Sequence, residues 1–400
     1  MHRISKVFMK VVILNWSEGE NDPFSVFNNT LKKYVKEAGK NPVIMDINEP
    51  NLYEKLIEIK KMEGIEFVIT WQGIGSSQTL ENGEYFWKTF KVPLICLHGD
   101  HPSHCPRNHV HESNYCIHMY LDSEFACYSN NHFRRLFGAH CINMPVVYLE
   151  DSPREVLGDY FVFPKNITRP AIMEQSWKLN LDEKLYHFCM DVAGILKEKI
   201  HQQSYLDFHS LIDRLIIEFN FLELLEGTYS QFYHYVHSQL DFYVRNYRSV
   251  TLVKELSDVP IKIFGRGWDE IKEKGSKNHQ FFNGLQSRDS GQLFYSKYGL
   301  LDISPSRCLH DRTLRAIANK TSFLCSANMD HVIPDAASFQ DIFFTFQPED
   351  IIKKCEKVMK DPFKHLQLCQ AFGKTYQMLF RPFEFVNHLS SLARQASYTD

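Results

Sequence analysis

The sequence predicts an α/β protein made of two doubly wound, Rossmann-like domains with a helical region between them. Three observations carry that expectation. At about 150 residues per domain, 400 residues suggest two domains or three. Short, continuous apolar runs alternate with helical stretches, as parallel strands covered on both faces do. That alternation stops at Glu174, gives way to helical periodicity, and resumes at Pro260.

The elements follow in order. Val7 to Leu14 reads as the first strand, with a polar loop to Pro23 and a helix from Ser25 to Ala38, ended by Gly39. Pro42 to Asp46 is a strand, Leu52 to Lys61 a helix and Phe67 to Trp71 a strand, followed by the glycine-rich segment Gly73 to Ser77. Val92 to His98 is a fourth strand, and His118 to Tyr128 and Cys141 to Tyr148 are expected as further strands. Phe208, Leu211, Leu215, Phe219 and Leu222 recur at spacings of three and four, one apolar helical stripe. An aromatic helix from Phe232 to Tyr247 follows Gly227. Strands are then expected at Pro260 to Phe264, Lys297 to Ile303, Ser322 to Ser326 and Asp341 to Phe346. Helices are expected at Asp311 to Asn319, Pro348 to Lys360 and Leu366 to Ala396, the last interrupted at Pro382.

Composition excludes several classes. A formal net charge of -3 and a pI near 6.7 argue against a nucleic-acid partner, which would leave a basic patch. No run approaches the roughly 18 apolar residues of a membrane span, and the first apolar run, broken by Lys10, lacks a signal-peptide cleavage site. The ten cysteines form no CxxC pair, so they read as reduced, mostly buried small hydrophobes of a cytoplasmic protein, or one peripheral at a membrane. Aromatics at 14% exceed the ordinary share and read as core filling. No GxxxxGK[ST], GxSxG or HExxH motif is present, and no DxD triplet of a metal-dependent nucleotide-sugar enzyme.

Ligands of doubly wound folds sit at strand carboxyl ends, which singles out three loops. After the fourth strand come His98, Gly99, Asp100, His101, Pro102, Ser103, His104, Cys105 and on to His111. Asp100 or His101 is expected to act as general base or substrate contact. A zinc site on the His98–His111 loop is an alternative, although the spacing is not that of a standard ligand pair. The second loop is Gly265, Arg266, Gly267, Trp268: two glycines permit close backbone approach, and the Arg266 fork suits phosphate. The third runs from Ser304 and Ser306 into a helix starting near Asp311, whose free N–H groups form a seat for a diphosphate. His310 and Arg312 add hydrogen bonds or charge there, while plain capping by Asp311 is the simpler reading.

These segments resemble the donor half of GT-B glycosyltransferases, especially the bacterial spore-maturation (CgeB-type) group, related to the glycosyltransferase group 1-like family. The family pattern of an arginine and spaced leucines, a strand and a GxGW turn is similar to Arg248, Leu252, Leu256, Ile261 to Phe264 and Gly265-Arg266-Gly267-Trp268. Its LNIxP strand and H-[DE]-R-xxx-A segment are similar to Leu301-Asp302-Ile303-Ser304-Pro305 and to His310-Asp311-Arg312 with Ala316. Its HDHP-like turn is matched by Gly99-Asp100-His101-Pro102, and its strand ending in aspartate by Tyr120-Leu121-Asp122. Lys320 stands where the family has glycine, and Arg315 near its usual acidic residue.

The resemblance implies a GT-B fold. Its N-terminal acceptor domain would span 1–170 with a crossover helix at about 380–400, followed by a helical linker at 171–250 and a nucleotide-sugar domain at 251–379. It implies metal-independent transfer of a sugar from a nucleotide-sugar to an acceptor glycan, lipid-linked glycan or protein in the cleft between domains, with no cofactor. Gly265, Arg266, Gly267, Ser304, Ser306, His310, Asp311 and Arg312 would hold the donor, and Asp100 or His101 would serve an inverting reaction. The alternatives are a non-catalytic nucleotide- or glycan-binding homologue, or a zinc-dependent enzyme using the histidine loop.

Overall fold

The computed structural model describes residues 9–16, 23–110, 115–133, 138–147, 158–202, 208–284, 296–303, 308–326 and 332–397. Expectations on Val7, Ser304, Ser306 and His111 lie outside them. The chain divides into two compact units, one of residues 1–148 with 377–400, the other of residues 149–376.

The first unit opens with β1 (Lys10–Asn15), α1 (Pro23–Glu37), β2 (Asn41–Asp46), α2 (Leu52–Met62), β3 (Ile65–Trp71), α3 (Phe86–Phe90) and β4 (Leu94–His98). It continues through β5 (Cys116–Tyr120), α4 (Ser123–His132) and the two-residue β6 (His140–Cys141). The sheet runs β2-β1-β3-β4-β5-β6, and all its pairings are parallel. Strands buried on both faces need continuous apolar sequence, and Val11, Val12 and Ile13 are fully enclosed. Leu31, Tyr34 and Val35 bury one face of α1.

Two expected strands are shorter here. The stretch 118–128 is a strand only to Tyr120, because Asp122 caps α4, its Oδ1 accepting the Glu124 N–H at 2.7 Å. Beyond Cys141 the chain is irregular though Met144, Val146 and Val147 are buried, the Val146 carbonyl accepting from the Tyr34 hydroxyl.

The second unit begins with β7 (Phe161–Pro164), then α5 (Pro170–Asn180), α6 (Glu183–Gln202), α7 (Phe208–Glu218), α8 (Glu223–Glu226) and α9 (Tyr233–Glu255). Alternation resumes with β8 (Ile261–Phe264), α10 (Asp269–Lys274), β9 (His279–Phe282), β10 (Gly299–Asp302), α11 (Asp311–Ala318), β11 (Phe323–Cys325), α12 (Pro348–Lys360) and α13 (Pro362–Leu379). Its five strands order as β11-β10-β7-β8-β9, again parallel. Residues 161–164 therefore belong to the second sheet, held between β8 and β10, and the border expected at residue 170 falls before them. Helices α5 to α9 cluster with this sheet, Trp177 packing its ring 5.2 Å from that of Tyr243.

The apolar stripe holds for Phe208, Leu211 and Leu215, all buried, but α7 ends at Glu218 and Asn220 turns with φ +53. Phe219 and Leu222 are consequently exposed. The strand expected at 341–346 is a single bridge from Phe343 to Cys325. After α13 the chain returns to the first unit as α14 (Pro382–Ser397), where Phe385 meets Tyr34 edge-on at 5.8 Å. Among the described residues, no helix is long and apolar enough to cross a membrane.

Lys320 ends α11 in the left-handed conformation, with φ +56, at the position where the resembled family has glycine. That conformation costs a side-chain-bearing residue roughly 1–2 kcal/mol, while the unfolded entropy of glycine returns about 0.5–1. Lys320→Gly is therefore expected to stabilise the chain by about 0.5–1 kcal/mol. A urea midpoint unchanged or lowered in the variant contradicts this.

Candidate functional site

In a doubly wound sheet the ligand position is the switch point, where strand order reverses and the neighbouring crossovers part. Counted from β7, the second sheet is ordered 3-2-1-4-5, so its switch point lies between β7 and β10. The residues at those two carboxyl ends are Pro164 and Lys165, and Asp302 and Ile303.

Asp302 is fully buried. Its Oδ2 accepts the Thr313 hydroxyl at 2.7 Å, and Arg312 Nη1 lies 3.6 Å from Oδ1. Arg312 also donates to the Pro164 carbonyl, which ties the first turn of α11 to the ends of both β7 and β10. The N-cap of α11 is His310, not Asp311: the Arg312 N–H lies 3.5 Å from His310 Nδ1. The same Nδ1 is 3.2 Å from Arg312 Nε and 2.5 Å from Asp311 Oδ1, so the tautomer decides whether it accepts from the arginine or donates to the carboxylate. Asp311 stands in the first turn, paired at 2.9 Å with Arg315, the residue that takes the place of the family's acidic one. Burial pushes the Asp311 carboxyl up, but the charges of His310 and Arg315 and the His310 hydrogen bond prevail and hold it far below the usual carboxylate range.

Lys165 was not marked by any motif. Its ammonium is pushed down to about 7, first by burial and then by the charges of Arg312 and Arg245, against the pull of Asp302 and Asp241. Helix α9 supplies the last pair, Arg245 and Asp241, joined at 2.7 Å, and its Asn246 accepts the Thr168 N–H at 2.9 Å. The charges of Arg312, Arg245, Asp302 and Asp241 thus all act on Lys165, just past the end of β7. The signal for Lys165 lay only in its position, immediately after a strand.

The glycines of the GxGW turn, expected to approach a donor, are packed against the segment after β7. A Cβ on Gly265 would lie 2.0 Å from the Lys165 carbonyl, and one on Gly267, at φ +91, 2.0 Å from that of Ile167. The glycines are required by close approach of the segment after β7, whose Ile167 N–H donates to the Arg266 carbonyl at 3.0 Å. Trp268 Nε1 donates to the Lys165 carbonyl at 2.7 Å, and the Arg266 N–H to Asn166 at 2.9 Å. The turn therefore fixes the backbone of Lys165, while the Arg266 residue is exposed. Lys320 precedes β11, at the amino end of the sheet, so it is remote from the strand ends that hold this cluster.

In the first unit the order β2-β1-β3-β4 puts the switch point between β1 and β3. Asn15, Trp16, Phe24, Asn28 and Trp71 line the surface there. Asp100, just past β4, is exposed, and Gln72 Nε2, just past β3, donates to its Oδ2 at 2.8 Å. Asn108 anchors this junction by donating to the Gln72 carbonyl at 2.8 Å. The two candidate bases differ sharply in setting. His101 is 1% exposed, its Nδ1 lies 2.7 Å from Ser103 Oγ and accepts the Ser103 N–H, and its ring stands edge-on to Tyr128 at 4.3 Å.

Among the described residues of the histidine loop, 98–110, no three ligands gather from the loop alone. Among the described residues, the one group of metal-ligating side chains takes only His98 from the loop and joins it to Cys96 and His118 on the strands. His98 Nε2 and His118 Nδ1 are 3.0 Å apart, while His109 Nδ1 meets the Tyr120 hydroxyl at 2.5 Å. Compared with known proteins, the chain matches no family model and no curated protein sequence.

The Lys165 shift has a consequence for stability. A folded value near 7 against 10.5 unfolded means the unfolded chain binds the extra proton between those pH values, so stability rises with pH there. Lys165→Met is expected to raise stability at pH 7, with the gain shrinking toward pH 10.5. Equal urea midpoint shifts at both ends of that range would contradict it.

Proposed function

We propose that this chain is a glycosyltransferase that moves a sugar from a nucleotide-sugar to an acceptor nucleophile without a metal ion. The second unit would bind the donor and the first the acceptor. The observation that carries the reading is the Arg312 guanidinium in the first turn of α11, tied to the ends of both β7 and β10, with Lys165 immediately after β7. A departing nucleoside diphosphate develops negative charge, and preorganised N–H groups with fixed cations stabilise such charge in the transition state. An arriving diphosphate would also favour the charged form of Lys165, a group balanced near neutrality without one.

On the acceptor side, Asp100 is the better candidate for general base. Its carboxylate is exposed and oriented by Gln72, whereas the ring of His101 is enclosed and engaged in its own turn. In an inverting reaction Asp100 would take the proton of the acceptor hydroxyl as the nucleophile attacks the anomeric carbon. His310, as the N-cap of α11, stands beside the first turn where the diphosphate would sit.

A nucleoside diphosphate is expected to raise the melting temperature of the full chain, with the rise surviving chelator. No response to any nucleoside diphosphate would sink the reading. Arg312→Ala is expected to weaken that binding by about 1.5–3 kcal/mol, the scale of a charged hydrogen bond, as measured by calorimetric titration; an unchanged Kd refutes its role. Asp100→Asn is expected to lower turnover of a nucleotide-sugar while leaving nucleotide affinity intact. Equal loss of both assigns the residue to the fold. Binding of the nucleotide with no turnover of any nucleotide-sugar favours instead the non-catalytic homologue.

A further inference from the structure

We propose that Cys96, His98 and His118 form a binding site for one zinc-class divalent ion inside the first unit. Side chains alternate along a strand, so Cys96 and His98 share one face of β4. His118 on β5 stands in register with Cys96 and brings its side chain to that face. All three residues are 1% exposed or less. Their ligand atoms lie within 4.8 Å of one another, with the two imidazole nitrogens 3.0 Å apart. Zinc bonds of about 2.0–2.3 Å in a tetrahedron separate neighbouring ligand atoms by roughly 3.3–3.6 Å. The nitrogens are close to that separation already, and the thiol needs only a side-chain adjustment.

The chemistry suits the donor set. Thiolate and neutral imidazole are the usual protein ligands of zinc. Without an ion, His98 Nε2 and His118 Nδ1 share a hydrogen bond, which consumes one lone pair and one proton. The ion would displace that proton, which passes to the far nitrogen of its own ring by a change of tautomer, so that each neutral imidazole carries its one hydrogen away from the metal, and the Cys96 thiol would release its own to solvent. Binding therefore strengthens with rising pH, and the thiolate offsets half of the buried charge. The surroundings are stiff: the His98 ring stacks on Tyr120 at 4.8 Å and lies 4.2 Å from His109. The Tyr120 hydroxyl joins His109 and Ser129, at 2.5 and 2.7 Å. Ring contacts of this kind restrict the His98 ring and limit the cost of assembling the ligands. The inference is independent of sugar transfer, and it differs from a zinc site on the histidine loop because two of its ligands come from strand interiors.

The test uses the full chain, dialysed against chelator and reloaded with Zn²⁺ or Co²⁺. One ion per chain is expected, with a higher melting temperature on adding zinc. The cobalt form is expected to show a thiolate-to-metal charge-transfer band in the near ultraviolet. Cys96→Ser should abolish that band and His118→Gln the tight binding, while His104→Ala, on the loop outside the trio, should keep both. A wild-type chain, folded by circular dichroism, that binds neither ion overturns the proposal. So does a wild-type cobalt spectrum without the thiolate band, a result that needs no variant to fold. Persistence of the band in Cys96→Ser overturns it as well.

Discussion

A carboxylate with no access to water must be met by donors and counter-charge, or it will not remain ionised. Asp302 is such a group, at the last position of β10, and much of the second unit follows from satisfying it. Thr313 and Arg312 are its partners, both in the first turn of α11, so the helix must start where the strand stops. Arg312 then reaches the end of β7 through the Pro164 carbonyl. Lys165 and the α9 pair Arg245 and Asp241 stand in the same electrostatic neighbourhood. One buried carboxylate thereby organises a cluster of paired charges around Lys165.

The cluster is held in place by backbone geometry as much as by charge. Gly265 and Gly267 let the turn after β8 press against the segment after β7, closer than any side chain permits. Trp268 then fastens the Lys165 carbonyl. The first unit solves a related problem in another way. Gly73 turns at φ +67 where a Cβ would meet the Asn108 carbonyl at 2.7 Å, so the loop after β3 seats against the histidine segment. Below that loop the sheet carries a buried polar layer of His98, His109, His118 and Tyr120, linked by hydrogen bonds and ring contacts. Among the described residues, the metal-ligating atoms gather where His98, the first residue of the loop, meets Cys96 and His118 on β4 and β5.

The fold was largely legible. Strands enclosed on both faces must be apolar throughout, and Val11 to Ile13, Phe67 to Ile69 and Leu94 to Leu97 announce themselves. The misread stretches share a cause. Residues 118–128 and 141–148 both carry buried apolar residues, Phe125 and Ala126 in one and Met144, Val146 and Val147 in the other, but burial alone does not distinguish a strand from a capped helix or an irregular segment. β9 escaped notice because an edge strand of mixed residues, His279 to Phe282, carries no continuous apolar run.

The site was legible where a motif coincides with a strand end. Asp100 stands just past β4, and His310, Asp311 and Arg312 stand at the start of the helix after β10, places which the pattern of strands and helices locates without coordinates. By itself the sequence determined the class of fold, the loops that carry chemistry and the near-neutral charge, because these depend on residue type and local periodicity. Only tertiary structure decided the partners. Lys165 and Asp302 lie 137 positions apart and meet Asp241 and Arg245 from a third segment, a proximity set by strand order. The same holds for Cys96, His98 and His118, brought together by the register of two adjacent strands. Long-range pairing has no local signature, so neither cluster has a spacing that could reveal it.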